Sequence, residues 1–129
     1  MKFARWTFGL AAAWGFLILG AFYFNEANPA LVPAPFPNHP DYYFGFLGVG
    51  LAWQAAFVIV ALDPVKYRLF MLPALFEKFS YVLTLSVLFL VHQLSGQMLG
   101  AAVLDGTFGL LFLVSFLKTR LAGKKAKRK

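Results

Sequence analysis

The sequence predicts an all-α membrane protein, a four-helix transmembrane bundle with both termini on the cytoplasmic side (N-in/C-in). Three observations predict this fold. Of 129 residues, 60% are hydrophobic and only 13% are charged, whereas a soluble domain averages about 25% charged residues. Four apolar runs are each long enough to cross a hydrocarbon core about 30 Å thick. The twelve lysines and arginines are confined to segments 1–5, 63–78 and 118–129.

The first two predicted spans cover residues 6–24 and 42–62. The first follows a basic start; a cleaved signal peptide is the alternative, which the length and aromatic content of the run disfavour. The outer loop between the spans, 25–41, holds five of the seven prolines, and proline disfavours helix. The second span opens on two tyrosines, which are typical of a membrane interface. Three of its glycines predict a face that a neighbouring helix approaches closely: Gly45, Gly48 and Gly50.

A charged cytoplasmic joint, 63–73, separates the two halves of the chain. Asp63 and Pro64 predict the start of a short helix, with aspartate as the N-cap and proline at the first helical position. The third span is predicted over 74–94 and the fourth over 98–117. The link between them is so short that these two spans must form an antiparallel pair.

The basic tail, 118–129, contains seven basic residues and no acidic one, and we expect disorder beyond about Ala122. Basic residues favour the cytoplasmic side of a membrane, so the three basic segments predict the orientation given above. We expect the lipid bilayer as a partner, together with another membrane protein or a second copy of the chain. Nucleic acid is not an expected partner, because no folded basic surface is available to position phosphates.

Asp105 is the strongest candidate for a functional residue. It lies about 10 Å inside the fourth span, where an ionised carboxylate costs about 2.5–3.5 kcal/mol and generally faces a bundle interior or a cavity. No lysine or arginine is expected at the same depth. We therefore expect a largely protonated Asp105 that donates to Gln54, to Ser86 or to a ligand carbonyl. The alternative is an aspartate that only locks helix packing.

Five residues of the third span, four of them polar, recur at helical spacing and form one stripe: Glu77, Tyr81, Thr84, Leu88 and His92. The stripe predicts either a polar path across the membrane or an ordinary packing seam with polar ends. The residues predicted to line an intramembrane polar or ligand-binding site are Asp105, Gln54, Thr84, Ser86 and His92.

The joint and the first turns of the third span contain four charged candidates: Asp63, Arg68, Glu77 and Lys78. We expect ion pairs at the membrane interface, with Glu77 bound to Lys78, Arg68 or Lys66, and Asp63 bound to Arg68. The acidic and histidine residues of the outer side match no compact metal motif, and the chain has no cysteine. We therefore assign no catalytic residue and no metal ligand.

A set of short motifs in the second half of the chain carries a family resemblance: Trp53–Gln54, Asp63–Pro64, Tyr67–Arg68, Met71–Leu72–Pro73, Glu77–Lys78–Phe79–Ser80–Tyr81 and Asp105. In these motifs the chain resembles small bacterial four-span membrane proteins whose layout is similar to DoxX-like proteins. The founding member of that superfamily is described as a subunit of a quinol oxidase. The resemblance implies a bacterial inner membrane and a link to quinone or redox assemblies, and it implies no catalytic residue.

Three classes of function remain open. The first is a non-catalytic accessory subunit or scaffold of a larger membrane complex. The second is a small protein that binds or transports a lipophilic molecule or quinone at Asp105. The third is a membrane enzyme acting on a lipid or quinone. The sequence identifies no cofactor; a bound quinone or lipid is compatible with the predicted intramembrane site.

Overall fold

Four long helices form the protein. The structure is a computed structural model that describes residues 1–25, 40–93, 96 and 99–126, with the backbone alone for 121–126. The predicted four-helix fold is confirmed, because all four helices are long and apolar enough to cross a membrane, and the described part contains no strand. The elements are α1 Lys2–Phe24, α2 Pro40–Leu62, a 3-10 turn at Arg68–Phe70, α3 Met71–Leu90 and α4 Leu99–Ala126.

Helix α3 differs from the predicted third span at both ends. It begins at Met71 instead of Ala74 and ends at Leu90 instead of Leu94. Pro73 lies in its first turn, where an amide N–H has no partner within the helix and its absence is therefore tolerated. This early start moves the charged residues of α3 deeper into the bundle.

Helix α4 continues past Leu117, the predicted end of the fourth span, and reaches Ala126. The expectation of disorder beyond Ala122 is therefore wrong as far as Ala126. Lysine, arginine, leucine and alanine all favour helix, and basic residues at a helix C-terminus complement its dipole. Predictions for loop residues 26–39, for most of the 94–98 link and for the last three residues lie outside the described residues.

Successive helices run in opposite directions, as contacts near their ends show. The Nζ of Lys118, late in α4, lies 4.3 Å from the ring centroid of Phe3 in α1. The hydroxyl of Tyr43, early in α2, donates to the carbonyl of Phe22 at 3.1 Å. Helix α1 packs against α2 and α4, and α3 packs against α4. We call the end of the bundle that carries residues 1–5, 63–70 and 118–120 the basic end.

An aromatic cluster forms the centre of the core. The rings of Phe8 and Phe112 are stacked with centroids 4.0 Å apart, and Phe57 meets both edge-on at 5.8 and 5.0 Å. The buried side chain of Met71 joins the same cluster. The cluster therefore ties all four helices together, and it lies in the half of the bundle nearest the basic end.

Glycine allows α1 and α2 to approach closely at the predicted Gly50, where a leucine side chain of α1 would lie 2.8 Å from an added Cβ atom, and also at Gly15. The buried side chain of Gln54 lies over Gly15, in the space that a Cβ atom would occupy, and its Nε2 donates to the carbonyl of Gly50 at 2.9 Å. Gly45 and Gly48 have no neighbour within 4 Å of an added Cβ in the described part of the chain. The predicted close approach at these two glycines is therefore wrong.

We expect Gly15→Ala to destabilise the bundle by about 1–2 kcal/mol, because the new methyl group overpacks the α1–α2 contact. In a Gln54→Ala background the same substitution should have little effect, since the space is then empty. Unfolding by dodecyl sulfate in mixed micelles, followed by circular dichroism, measures both costs. Gly45→Ala, at an open position, is the control. Equal costs of Gly15→Ala in the two backgrounds would contradict the described packing.

Candidate functional site

Lys78 lies inside the bundle, whereas we expected it in an ion pair at the membrane interface. Because α3 begins at Met71, Lys78 is about 10 Å along the helix axis. Its residue is only 8% exposed, which is rare for lysine unless the ammonium is paired. The side chain is held between α3 and α4.

The ammonium of Lys78 joins two carboxylates. Its Nζ lies 3.2 Å from Oδ1 of Asp105 on α4 and 3.2 Å from Oε1 of Glu77 on α3, and it donates a hydrogen bond to each. We call these three side chains the charge network. The predicted pairing of Glu77 with Lys78 is confirmed, whereas the expected neutral partner of Asp105 is wrong.

Lys78 reaches Asp105 by crossing α4 at Gly109. A Cβ atom added to Gly109 would lie 3.4 Å from Cβ of Lys78 and 3.3 Å from Cζ of Phe79. Gly109 is one turn, about 6 Å, from Asp105 along α4, and the four-carbon stem of lysine spans that distance. A glycine one turn from a buried aspartate is the sequence signal that could have indicated this crossing.

Two aromatic residues border the charge network. Nζ of Lys78 lies 5.7 Å from the ring centroid of Phe57, and the face of an aromatic ring attracts a cation. The half-buried Tyr81 lies one turn beyond Glu77 on α3. The network thus lies against the aromatic core at Phe57.

The charge network has more acceptors than donors. Two carboxylates and one ammonium give a formal charge of −1. Oε2 of Glu77 is buried without a hydrogen-bond partner in the described part of the protein. Asp105 receives Lys78 at Oδ1 alone, and its side chain remains 23% exposed. The site can therefore bind a proton, a cation or a group that donates hydrogen bonds.

The other predicted members of this site lie elsewhere. Gln54 packs between α1 and α2, as described above. The hydroxyl of Ser86 donates to the carbonyl of Val82 in its own helix at 2.7 Å, and Thr84 is exposed on the outside of α3. Neither Gln54 nor Ser86 is the partner of Asp105, because each donates to a backbone carbonyl of its own helix.

His92 ends helix α3 and does not continue the predicted polar stripe. Its φ of 58° is left-handed. Its amide donates to the carbonyl of Phe89 at 3.0 Å, and the amide of Gln93 donates to Leu88 at 2.9 Å. These two bonds form a Schellman motif, which closes a helix C-terminus. The helical spacing of the predicted stripe therefore does not extend to His92.

The two remaining joint residues bind backbone groups. Oδ1 of Asp63 accepts from the amides of Val65 at 3.2 Å and Lys66 at 3.1 Å. The helix predicted to start here is wrong, because residues 64–67 form a turn and the 3-10 helix begins only at Arg68. Nε of Arg68 donates to the carbonyl of Phe116 at 3.3 Å, and its guanidinium lies 3.7 Å from the centroid of that ring. The predicted ion pairs of Arg68 with acidic residues are wrong, because α4 offers a closer acceptor and an aromatic face.

Among the described residues, no group of three histidine, cysteine or acidic side chains could hold a metal ion. The charge network is therefore the one candidate site that the described geometry supports. No protein-family model, no curated protein sequence and no solved structure matches the chain.

Proposed function

We propose that this chain is a multi-pass membrane protein that binds or transports a lipophilic molecule, whose polar group is held at the charge network. The observation that supports this is the third charge of the network. Lys78 and Asp105 alone would lock α3 onto α4. Glu77 is on the same helix as Lys78 and adds no link between helices, yet a charged group in a span is costly and generally functional.

Access to the network supports the same proposal. The side chains of Asp105 and Glu77 are 23% and 30% exposed. On α4, Ala101 and Phe108 lie one turn on either side of Asp105, and both are partly exposed. A polar head group that arrives from the lipid can therefore reach Asp105 while its apolar tail stays in the membrane.

The test is purification in mild detergent, followed by mass spectrometry of the extracted lipophilic molecules. We expect one lipophile to co-purify in near-stoichiometric amount with the unaltered protein and to be lost on Asp105→Asn. Thr107→Val is the matched control, because that exposed hydroxyl only donates to Val103 of its own helix at 2.8 Å. The same extracted molecules in all three preparations would contradict the proposal.

A second candidate is a non-catalytic accessory subunit of a larger, quinone-linked membrane complex. It is favoured by the surface of the bundle, because no more than 22% of any span is buried within the chain. Gly45 and Gly48 are open on this surface, where a partner helix could approach closely. Cross-linking in native membranes, with mass spectrometry of the products, tests this candidate. A chain that cross-links to no protein would exclude it.

We also propose that the basic end faces the cytoplasm of a bacterial inner membrane. Described basic residues of α1, the joint and α4 gather at this end, and such residues are enriched in cytoplasmic segments. An alkaline phosphatase fused after residue 129 should be inactive in this orientation, since that enzyme matures outside the cytoplasm. An active fusion would reverse the assignment.

A further inference from the structure

We infer that the ligand of the charge network carries a positively charged head with N–H donors, that is, a lipophilic amine in its ammonium form. This inference rests on the proposed function and narrows it from lipophilic molecules in general to one chemical class. It is carried by the balance of donors, acceptors and charge around Lys78.

Two of the three N–H donors of Lys78 are already engaged. They are held by Glu77 and Asp105, and Nζ lies 5.7 Å from the ring centroid of Phe57. A head group that only accepts hydrogen bonds, such as a quinone carbonyl, therefore has to compete with two carboxylates for the N–H groups of Lys78.

The carboxylate acceptors of the network are only partly hydrogen-bonded. Oε2 of Glu77 has no partner among the described residues, and Oδ1 is the oxygen through which Asp105 binds Lys78. A buried acceptor left without a donor is unfavourable, so a ligand that donates N–H groups completes the network. The Glu77 side chain, which is 30% exposed, can turn Oε2 toward such a ligand.

Charge selects among the possible donors. The formal charge of the network is −1, and a monovalent cation brings it to zero. A neutral alcohol supplies one hydrogen bond and no charge, and an anionic head is repelled. The ring of Phe108, partly exposed one turn from Asp105, adds an aromatic surface that suits a cation.

The inference is tested by ligand binding to the full chain in phosphatidylcholine nanodiscs, with empty nanodiscs subtracted. Labelled dodecylamine is the probe, and dodecanol, dodecyltrimethylammonium and decylubiquinone are competitors. We expect saturable binding of one dodecylamine, with dodecanol and decylubiquinone weaker by about tenfold or more, as for loss of a charged hydrogen bond. Dodecyltrimethylammonium, charged but without N–H, should lie between them.

Two substitutions locate the bound amine. Glu77→Gln and Asp105→Asn should each weaken dodecylamine binding by about tenfold, and the control Thr107→Val should leave it unchanged. Should a charge variant fail to fold, the ranking of the four ligands on the unaltered protein still decides the question. Amine binding that both charge variants leave intact would place the amine elsewhere and overturn the inference.

Each remaining outcome separates the inference from the proposed function. Equal affinities for dodecylamine and dodecanol would show that the network is already neutral through a bound proton, and would overturn the inference. Decylubiquinone binding that is stronger than amine binding and is lost on Asp105→Asn would overturn the ligand class and support the proposed function. If no probe binds saturably and no lipophile co-purifies, both fail.

Discussion

Lys78→Met is expected to destabilise the bundle by about 3 kcal/mol. The substitution keeps most of the side-chain volume and removes the ammonium. Asp105 and Glu77 are then left as two carboxylates without their shared donor. Breaking a buried ion pair costs about 3–5 kcal/mol, and the partial exposure of both carboxylates places the expected loss at the low end of that range.

Unfolding by dodecyl sulfate in mixed micelles, followed by circular dichroism, measures this loss. Lys66→Met is the matched control, because Lys66 is exposed at the basic end and interacts only weakly with the Tyr67 ring at 5.1 Å. Adding Glu77→Gln and Asp105→Asn to Lys78→Met should restore much of the stability, since the unpaired charges are then gone. A loss no larger than that of Lys66→Met would contradict the network.

Phe112→Ala is expected to lower the free energy of unfolding by about 2–3 kcal/mol, because the cavity removes packing contacts with three helices. The cost is smaller than in a soluble core, because no hydrophobic driving force is lost in lipid. Phe112 is fully buried. It is stacked on Phe8 and meets the edge of Phe57, so one truncation opens the centre of the core.

The same unfolding measurement tests this effect. Leu110→Ala on the same helix is the control, because Leu110 is 60% exposed and should change stability little. Phe112→Leu should recover part of the loss by refilling the cavity. If Phe112→Ala and Leu110→Ala have equal effects, the aromatic cluster is not the centre of the core.

The four-helix architecture could be predicted from the sequence because it depends on one-dimensional quantities. The length of each apolar run sets the number of spans. The hydrogen bonds of Asp63 are equally local, since aspartate before proline accepts from the amides two and three residues ahead, although they close a turn and not the predicted helix. Neither feature requires knowledge of which helices are neighbours.

The partner of Asp105 could not be predicted by comparing depths along the helices. Taking the proline at position 73 as a helix start placed Lys78 near the head groups, whereas α3 begins at Met71. Counted by Cα position, Lys78 faces Gly109 and not Asp105. Its long side chain covers the remaining turn, and only the structure shows that this crossing is open.

The position of Gln54 was unpredictable for a related reason. A glutamine near the middle of a span needs a partner, and several helices could supply one. The structure places its side chain over Gly15 of α1. Which residue of α1 lies opposite Gln54 depends on how the two helices are rotated about their axes. The rotation of an apolar helix cannot be predicted from its sequence when all faces of the helix are apolar.

The charge network also has a consequence for how the protein is made. A ribosome synthesises Lys78 before Asp105, which lies 27 residues later in the chain. Until α4 emerges, the lysine of α3 has only its neighbour Glu77 for compensation, within an apolar span where a charged residue is costly to insert. Helices α3 and α4 should therefore leave the translocon together, as one hairpin. The α1–α2 pair is then already in the bilayer, and its core is completed when Phe112 of α4 packs against it.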